Sequence, residues 1–458
     1  MKSIAIIGAG ITGLTAAFHL KRQGIPVTVF EAGPRCGGVI RSARENGFLA
    51  EFGPNTILET SPEIPDLVRD LRLESRRLYT DPFAKKRYIV RNGAPLPLPS
   101  SPRAFLTTPL FSAGAKLAVL REPFVARRRD DADESVADFV VRRLNREFLD
   151  RAVDALVGGI YAGDPGKLSV RHALPKLFEQ EQRYGSLIRG QIFGGRDRKR
   201  RGEIPRSKAP MFSFDEGLQV LTDALAAELG EAVRLNTAVL KAVKTAGAWQ
   251  VHCENGLQEY TAIIYCGTAY QLAQLRIESP GLPDLSPLGQ IRYAPIASVV
   301  LGFHRRDVGH PLDGFGMLIP KIENFKILGA IFSSSLFPNR APADSVTLTS
   351  YLGGERTPEL AFLPAEEAIG LTRTDLRALI GAAGEPVFSR VAFHRRAIPQ
   401  YNVGYGKFKE TLENVEKSAP GLFFAGHYRN GVSLGDSIVA GAGVAKVAAK
   451  WSQAANRT

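Results

Sequence analysis

The residues Gly8-Ala9-Gly10-Ile11-Thr12-Gly13 carry the most definite chemistry in the chain. Glycines at this spacing let a backbone approach a phosphate, provided a strand precedes them and a helix follows. Both are predicted: residues 3–7 read as a short buried strand, and residues 11–23 have the apolar spacing of a helix. A second strand, residues 27–30, delivers Glu31 eighteen positions beyond Gly13. This is a βαβ unit for dinucleotides, with pyrophosphate at the helix N-terminus and Glu31 accepting hydrogen bonds from an adenosine ribose.

The next stretch selects the dinucleotide. Glu31-Ala32-Gly33-Pro34-Arg35-Cys36-Gly37-Gly38-Val39-Ile40-Arg41-Ser42 adds an arginine and a second glycine pair. A nicotinamide nucleotide has no need of a second backbone approach. FAD is longer, lies extended and recruits further segments. Phe48-Leu49-Ala50-Glu51-Phe52-Gly53-Pro54-Asn55 is placed to be another, near the flavin ring. Non-covalent FAD is therefore the expected cofactor, and no cysteine lies beyond Cys266 to tether it near the C-terminus.

The elements that must position these groups are interleaved along 458 residues, too many for one core. An α/β fold is expected, with a discontinuous Rossmann-like FAD-binding domain over residues 1–85, 206–275 and 396–458. Residues 86–205 read as a helical domain and 276–395 as a mixed-sheet substrate domain. Within the helical part Leu149, Ala152, Val153, Leu156 and Val157 form an apolar stripe. The stripe runs into Gly158-Gly159-Ile160-Tyr161-Ala162-Gly163-Asp164-Pro165, which must turn tightly or hug a ligand. Residues 218–229 read as a helix, 233–243 as strand and Asn255-Gly256 as a hairpin turn. Residues 437–451 form a small-residue helix. The segment Asn430-Gly431-Val432-Ser433-Leu434-Gly435-Asp436 before it aims N–H groups at the flavin, with Asp436 serving as an N-cap.

Composition excludes several classes. Apolar content of 44% and charged content of 23% belong to a globular protein. Cys36, Cys253 and Cys266 make no CxxC pair, and no metal-ligand spacing or nucleophile–base arrangement occurs. A reduced, cytoplasmic setting fits them. With cofactor machinery starting at residue 3, no cleaved leader is expected. No apolar run reaches the roughly 20 residues of a membrane span. The net charge of +13 gathers in Arg127-Arg128-Arg129 and in residues 196–208. Solvated loops, an anionic membrane surface on the inner face of the cell membrane, or an anionic substrate would each account for it. No nucleic-acid reading module accompanies the charge. Residues 110–125, beside the triple arginine, read equally as an interfacial segment or a buried helix.

Taken together, these segments resemble the FAD-dependent protoporphyrinogen/coproporphyrinogen oxidases of haem synthesis over nearly the whole chain. The most specific stretch is Gly159-Ile160-Tyr161-Ala162-Gly163-Asp164-Pro165-Gly166-Lys167-Leu168-Ser169-Val170-Arg171. Phe214 to Leu221, Ile398-Pro399-Gln400-Tyr401 with Gly404, and Gly431-Val432 with Asp436 and Gly441 add to it. The resemblance implies a peripheral membrane enzyme that takes six electrons from a porphyrinogen, with oxygen or another acceptor. It implies FAD contacts at Gly8, Ala9, Gly10, Ile11, Thr12, Gly13, Glu31, Ala32, Gly38 and Val39. Further contacts are implied at Gly53, Pro54, Asn55, Thr56, Leu240, His427, Val432, Ser433 and Leu434. Arg87 matches a propionate-binding position, and Phe315, Gly316, Leu318 and Tyr351 match residues around the macrocycle, with Ala162 on another wall. Two positions depart from the pattern. Tyr351 stands where a methionine or aliphatic residue is usual, and His427 where a small residue is usual.

Residue chemistry agrees with this expectation. A porphyrinogen is an apolar disc with carboxylate arms, so its site wants apolar walls and few cations. Flavin chemistry needs no acid–base cluster from the protein, and none is assigned. Protoporphyrinogen IX is the expected substrate and coproporphyrinogen III the alternative. An amine oxidase, a carotenoid desaturase or a porphyrin carrier on the same fold are the more distant readings. Oligomeric state, a homodimer included, is not legible in spacing.

Overall fold

The computed structural model describes residues 3–128, 130, 132–200, 209–254 and 256–454. Five parallel strands form the sheet behind the glycine motif, in the order Val233–Arg234, Val27–Phe30, Ile4–Ile7, Ala262–Tyr265 and Leu422–Phe424. Ile4, Ala5 and Ile6 are fully buried, as a central parallel strand covered on both faces requires. Helices Ile11–Arg22 and Leu434–Ala454 cover one face together. They approach closely at Gly441, where a Cβ would stand 2.5 Å from the Thr12 carbonyl oxygen. The other face packs on a four-stranded sheet in the order Gly256–Tyr260, Trp249–Cys253, Val239–Lys244 and Arg276–Glu278.

The single run expected over residues 233–243 is two strands in two sheets. Between them Asn236 takes a positive φ of 50°, and the N–H groups of Asn236 and Thr237 donate to the carbonyls of Gly33 and Glu31. That detour beside Glu31 divides the run. Asn255 of the expected hairpin turn lies outside the described residues, while Cys253 and Gly256 pair on either side of it.

A seven-stranded mixed sheet follows the order Phe388–Pro399, Tyr293–His304, Ser345–Gly353, Ile327–Ile331, Gly314–Leu318, Lys86–Arg91 and Ala94–Pro97. Its last two strands come from the stretch expected to be helical. Tyr88, Ile89 and Val90 are all buried there, because the strand pairs with Gly314–Leu318 and has packing on both faces. One face of the sheet, with Tyr88, Met317, Ala330 and Leu348, packs against helix Ala365–Ile380.

Helices prevail only from Pro102 onward. Glu122, fully buried, holds this part together: its carboxylate accepts from the Ser186 hydroxyl, from the N–H groups of Leu187 (2.8 Å) and Ile188, and from Arg143. Burial opposes its ionisation, but these donors outweigh it and hold the carboxyl below its ordinary range. The N-terminus of helix Leu187–Arg200 is thereby anchored to segment Glu122–Phe124. The apolar stripe is not continuous. Leu149–Val153 is a π-helical turn, which rotates the face, so Leu156 is 42% exposed while Val157 is buried. Gly158 and Gly159 lie inside helix Asp154–Tyr161, not in a turn. The chain turns at Ala162, in the left-handed region with φ 46°. Among the described residues no helix is long and apolar enough to cross a membrane.

Candidate flavin and porphyrinogen site

The glycines of the first motif divide the work. A Cβ on Gly13 would lie 2.0 Å from the Gly8 carbonyl oxygen, so Gly13 exists for helix–strand packing. A Cβ on Gly10 would meet nothing within 4 Å. Gly10 therefore faces an open cradle, at a helix N-terminus with no side-chain cap, whose first N–H groups have no intrahelical acceptor. Glu31 sits beside it, accepting from the N–H of Ala9 at 2.9 Å and of Gly33 at 2.8 Å. Two lone-pair directions remain on that carboxylate for a ribose. Gly37 donates to the Ala9 carbonyl at 2.8 Å, and Arg35 grips the carbonyls of Cys36, Gly38 and Ile40. The second glycine pair is thus clamped over the first, with Val39 left 55% exposed. The exposed Leu240 sits at a bulge in its strand, beyond the detour at Glu31. These groups fit a dinucleotide pyrophosphate and its adenosine.

The flavin end follows from helix geometry. Both covering helices leave the carboxyl ends of parallel strands, where ligands of such sheets bind. Gly441 lies level with Thr12, seven residues after Leu434 begins its helix. At 1.5 Å per residue, the second N-terminus stands about 10 Å beyond the first. A strap, residues 426–433, leads from strand Leu422–Phe424 to this second N-terminus. Ser433 caps the last helix by accepting from the Asp436 N–H at 3.1 Å, and the Asp436 carboxylate accepts from the Ser433 N–H in return. Asp436 thus closes a capping box from inside the first turn and is not itself the N-cap. Burial lowers the His427 imidazole to about 4, so it is neutral at pH 7 and brings no charge to the strap.

The third component is the other face of the mixed sheet, opposite helix Ala365–Ile380 and packed in part against the helical segments. Ile89, Leu318, Gly329, Tyr351 and Ser298 lie abreast on successive strands. Arg87 and Gly316 pair in the adjacent row of the same face. A bulge at Phe315 frees its ring to meet the Arg87 guanidinium, 5.7 Å from the ring centre. Arg87 is exposed and, among the described residues, makes no ion pair. Helix Asp154–Tyr161 lies directly over Leu318, with room only for hydrogen at Gly159. Ala162 and Tyr351 share one apolar cluster with Leu328. Asn55 joins this wall to the flavin side, donating to the Tyr351 hydroxyl at 2.7 Å. The structure therefore brings Arg87, Ala162, Phe315, Gly316, Leu318 and Tyr351 to one region, reached by the segment holding Gly53, Pro54, Asn55 and Thr56.

Sequence reasoning missed the support beneath that segment. Glu51 is 3% exposed, accepting from the Ser42 hydroxyl at 2.6 Å and the Leu218 N–H at 2.8 Å, with Arg340 at 3.7 Å. Burial pushes the Glu51 carboxyl up to about 7, against the pull of Ser42 and Arg340. Glu51 was legible only as part of the segment expected near the flavin ring, since Leu218 and Arg340 lie far away in sequence.

With this geometry established, the relationships are clear. Residues 11–448 match the family model for flavin containing amine oxidoreductase. Protoporphyrinogen oxidase 2, chloroplastic/mitochondrial, of Arabidopsis thaliana is 37% identical across 96% of this chain and 92% of its own length. Coproporphyrinogen III oxidase of Bacillus subtilis (strain 168) is 28% identical across 95% and 96%. A crystallised protein of Exiguobacterium sp. 255-15 superposes with a TM-score of 0.81 at 24% identity, covering 97% and 98% of the two chains. Reduced UDP-galactopyranose mutase superposes at 0.75 with 16% identity over 98% and 96%, a likeness of fold alone. The family match over residues 11–448 and the identity to the plant enzymes place the chain in the flavin-containing amine oxidoreductase family, among its FAD-dependent porphyrinogen oxidases.

Proposed function

We propose that this chain oxidises protoporphyrinogen IX to protoporphyrin IX, passing six electrons in three two-electron steps through FAD to oxygen. The 37% identity to the Arabidopsis enzyme supports the substrate class. The carrying observation is Arg87, which makes no ion pair among the described residues, on an apolar sheet face that the Asn55–Tyr351 hydrogen bond ties to the segment Gly53, Pro54, Asn55 and Thr56.

When bound, FAD supplies the two-electron acceptance that the side chains cannot. Gly10 and the first turn of its helix receive the pyrophosphate, and Glu31 holds the ribose. Arg87 binds a propionate arm, while Phe315, Gly316 and Leu318 form the floor under the disc. Tyr351 and Ala162 limit its slide toward the strap. The neutral His427 adds no charge to the strap, whose cation Arg429 is paired with Glu416, and the oriented N–H groups of the last helix favour negative charge on the cofactor edge. Excluding water from this apolar region keeps a readily oxidised substrate from side reactions.

Anaerobic mixing of the FAD-loaded protein with protoporphyrinogen IX should bleach the flavin's visible band, and admitting oxygen should restore it. An unbleached flavin would overturn the assignment in favour of a carrier. Comparing kcat/KM on the two porphyrinogens fixes the arms of the substrate; a preference of about tenfold for coproporphyrinogen III would move the reaction to the four-propionate substrate. Arg87→Ala should raise KM strongly with little loss of FAD, and unchanged kinetics would remove Arg87 from the site.

The protein works as a peripheral membrane enzyme in this reading. Phe124 is 84% exposed, and Leu120, Ile192 and Phe193 are exposed on the packed unit of helix Ala113–Arg121, segment Glu122–Phe124 and helix Leu187–Arg200. Arg121, Arg127 and Arg189, in the same stretches of chain, are exposed too. Apolar bulk together with cations suits an anionic lipid surface. Arg129 and residues 201–208 of the basic runs lie outside the described residues.

A further inference from the structure

The flavin strap and the macrocycle wall are built by distant parts of the chain, yet one dipeptide touches both. Gln400 and Tyr401 follow directly on the edge strand Phe388–Pro399. Gln400 is 2% exposed, and its Nε2 donates to the Tyr161 carbonyl at 2.8 Å, one residue before the turn at Ala162. A Cβ on Gly163 would lie 2.6 Å from Gln400 Oε1, so the contact is close-packed on that side. Tyr401, equally buried, reaches the strap. Its hydroxyl donates to the His427 carbonyl and accepts from the Gly431 N–H at 3.0 Å. The ring is held by Tyr405 at 4.5 Å between centres, and the Tyr401 carbonyl accepts from the Ser169 N–H at 2.8 Å.

Both ends of the strap therefore close on one phenol oxygen. Gly431 has a φ of 118°, a conformation that glycine alone adopts readily. The turn His427–Asn430 is also held by the Arg429–Glu416 pair and by the Tyr405 hydroxyl, which donates to the Tyr428 carbonyl at 2.6 Å, and the Tyr401 hydroxyl joins the start of that turn to the Gly431 N–H beyond it. We propose that Tyr401 is a positioning residue that sets the flavin strap, with Gln400 setting the substrate wall, so that one rigid dipeptide fixes the separation between cofactor ring and macrocycle. Hydride passage demands reacting atoms about 3–3.5 Å apart, so an error at this joint reaches the rate directly.

The inference rests on the flavin and porphyrinogen reading, and its tests separate from it. In FAD-loaded Tyr401→Phe, kcat should fall about tenfold with KM unchanged, as loss of buried hydrogen bonds implies. The flavin absorption maximum should shift and FAD should dissociate more readily. Gln400→Met should instead raise KM and leave the flavin spectrum as in the wild type. In the wild-type holoenzyme the Gly431 amide should be protected from hydrogen exchange, a measurement that needs no variant to fold. Wild-type kcat, spectrum and FAD affinity in Tyr401→Phe, with only Tm lowered, would reduce the hydroxyl to a packing role and overturn the proposal. An unprotected Gly431 amide would overturn it equally. Absence of turnover in the wild type would defeat the porphyrinogen reading, while the spectrum and amide exchange would still judge Tyr401.

Discussion

Two glycines three residues apart give opposite experiments. Gly13→Ala puts a methyl 2.0 Å from a backbone oxygen, and the variant should fail to fold or lose several kcal/mol, read from its Tm. Gly10→Ala places its methyl in open space. Its apoprotein should melt like the wild type, yet bind FAD much more weakly because the methyl occupies the phosphate cradle. Equal FAD affinity in Gly10→Ala would move the pyrophosphate elsewhere. Both glycines are legible in the sequence as a motif. Their division of labour is not, because it depends on how the turn folds Gly13 back onto Gly8 and on Cys266 approaching from another strand.

Elements were legible where a residue's local pattern and its burial agree. The strands at residues 4–7 and 27–30, and helices Ile11–Arg22 and Gln219–Leu229, satisfy that condition. Lys86–Arg91 did not, since its role depends on Gly314–Leu318 more than two hundred residues away. Nor did the π-helical turn at Leu149–Val153, which no apolar period marks. Glu51 shows how an element can carry a hidden titration. Its folded pKa, about 7, lies above the ordinary carboxylate value, so the folded state holds the proton more tightly. The stability it contributes is complete below the unfolded pKa and is lost as pH rises toward 7. Measured from about pH 5 to about pH 8, the Tm of the wild type should therefore fall relative to that of Glu51→Gln. Parallel Tm curves would mean that Glu51 titrates ordinarily.

At the scale of the molecule, the apolar surface around Phe124 should govern membrane contact. Vesicles containing anionic lipid should co-sediment the wild type at low salt and release it at high salt. Phe124→Asp with Leu120→Asp should abolish co-sedimentation while kcat on detergent-dispersed porphyrinogen persists; retention of the double variant on vesicles would place the contact elsewhere. The parallel sheet has a different consequence. Its five strands are drawn from residues 4–7, 27–30, 233–234, 262–265 and 422–424, and the strap that faces the cofactor comes after all of them. During synthesis the glycine cradle emerges first but has no closing edge until Leu422–Phe424 leaves the ribosome. A nascent chain halted short of that strand would expose the flank of Ala262–Tyr265 to other chains, an edge that only the last strand covers.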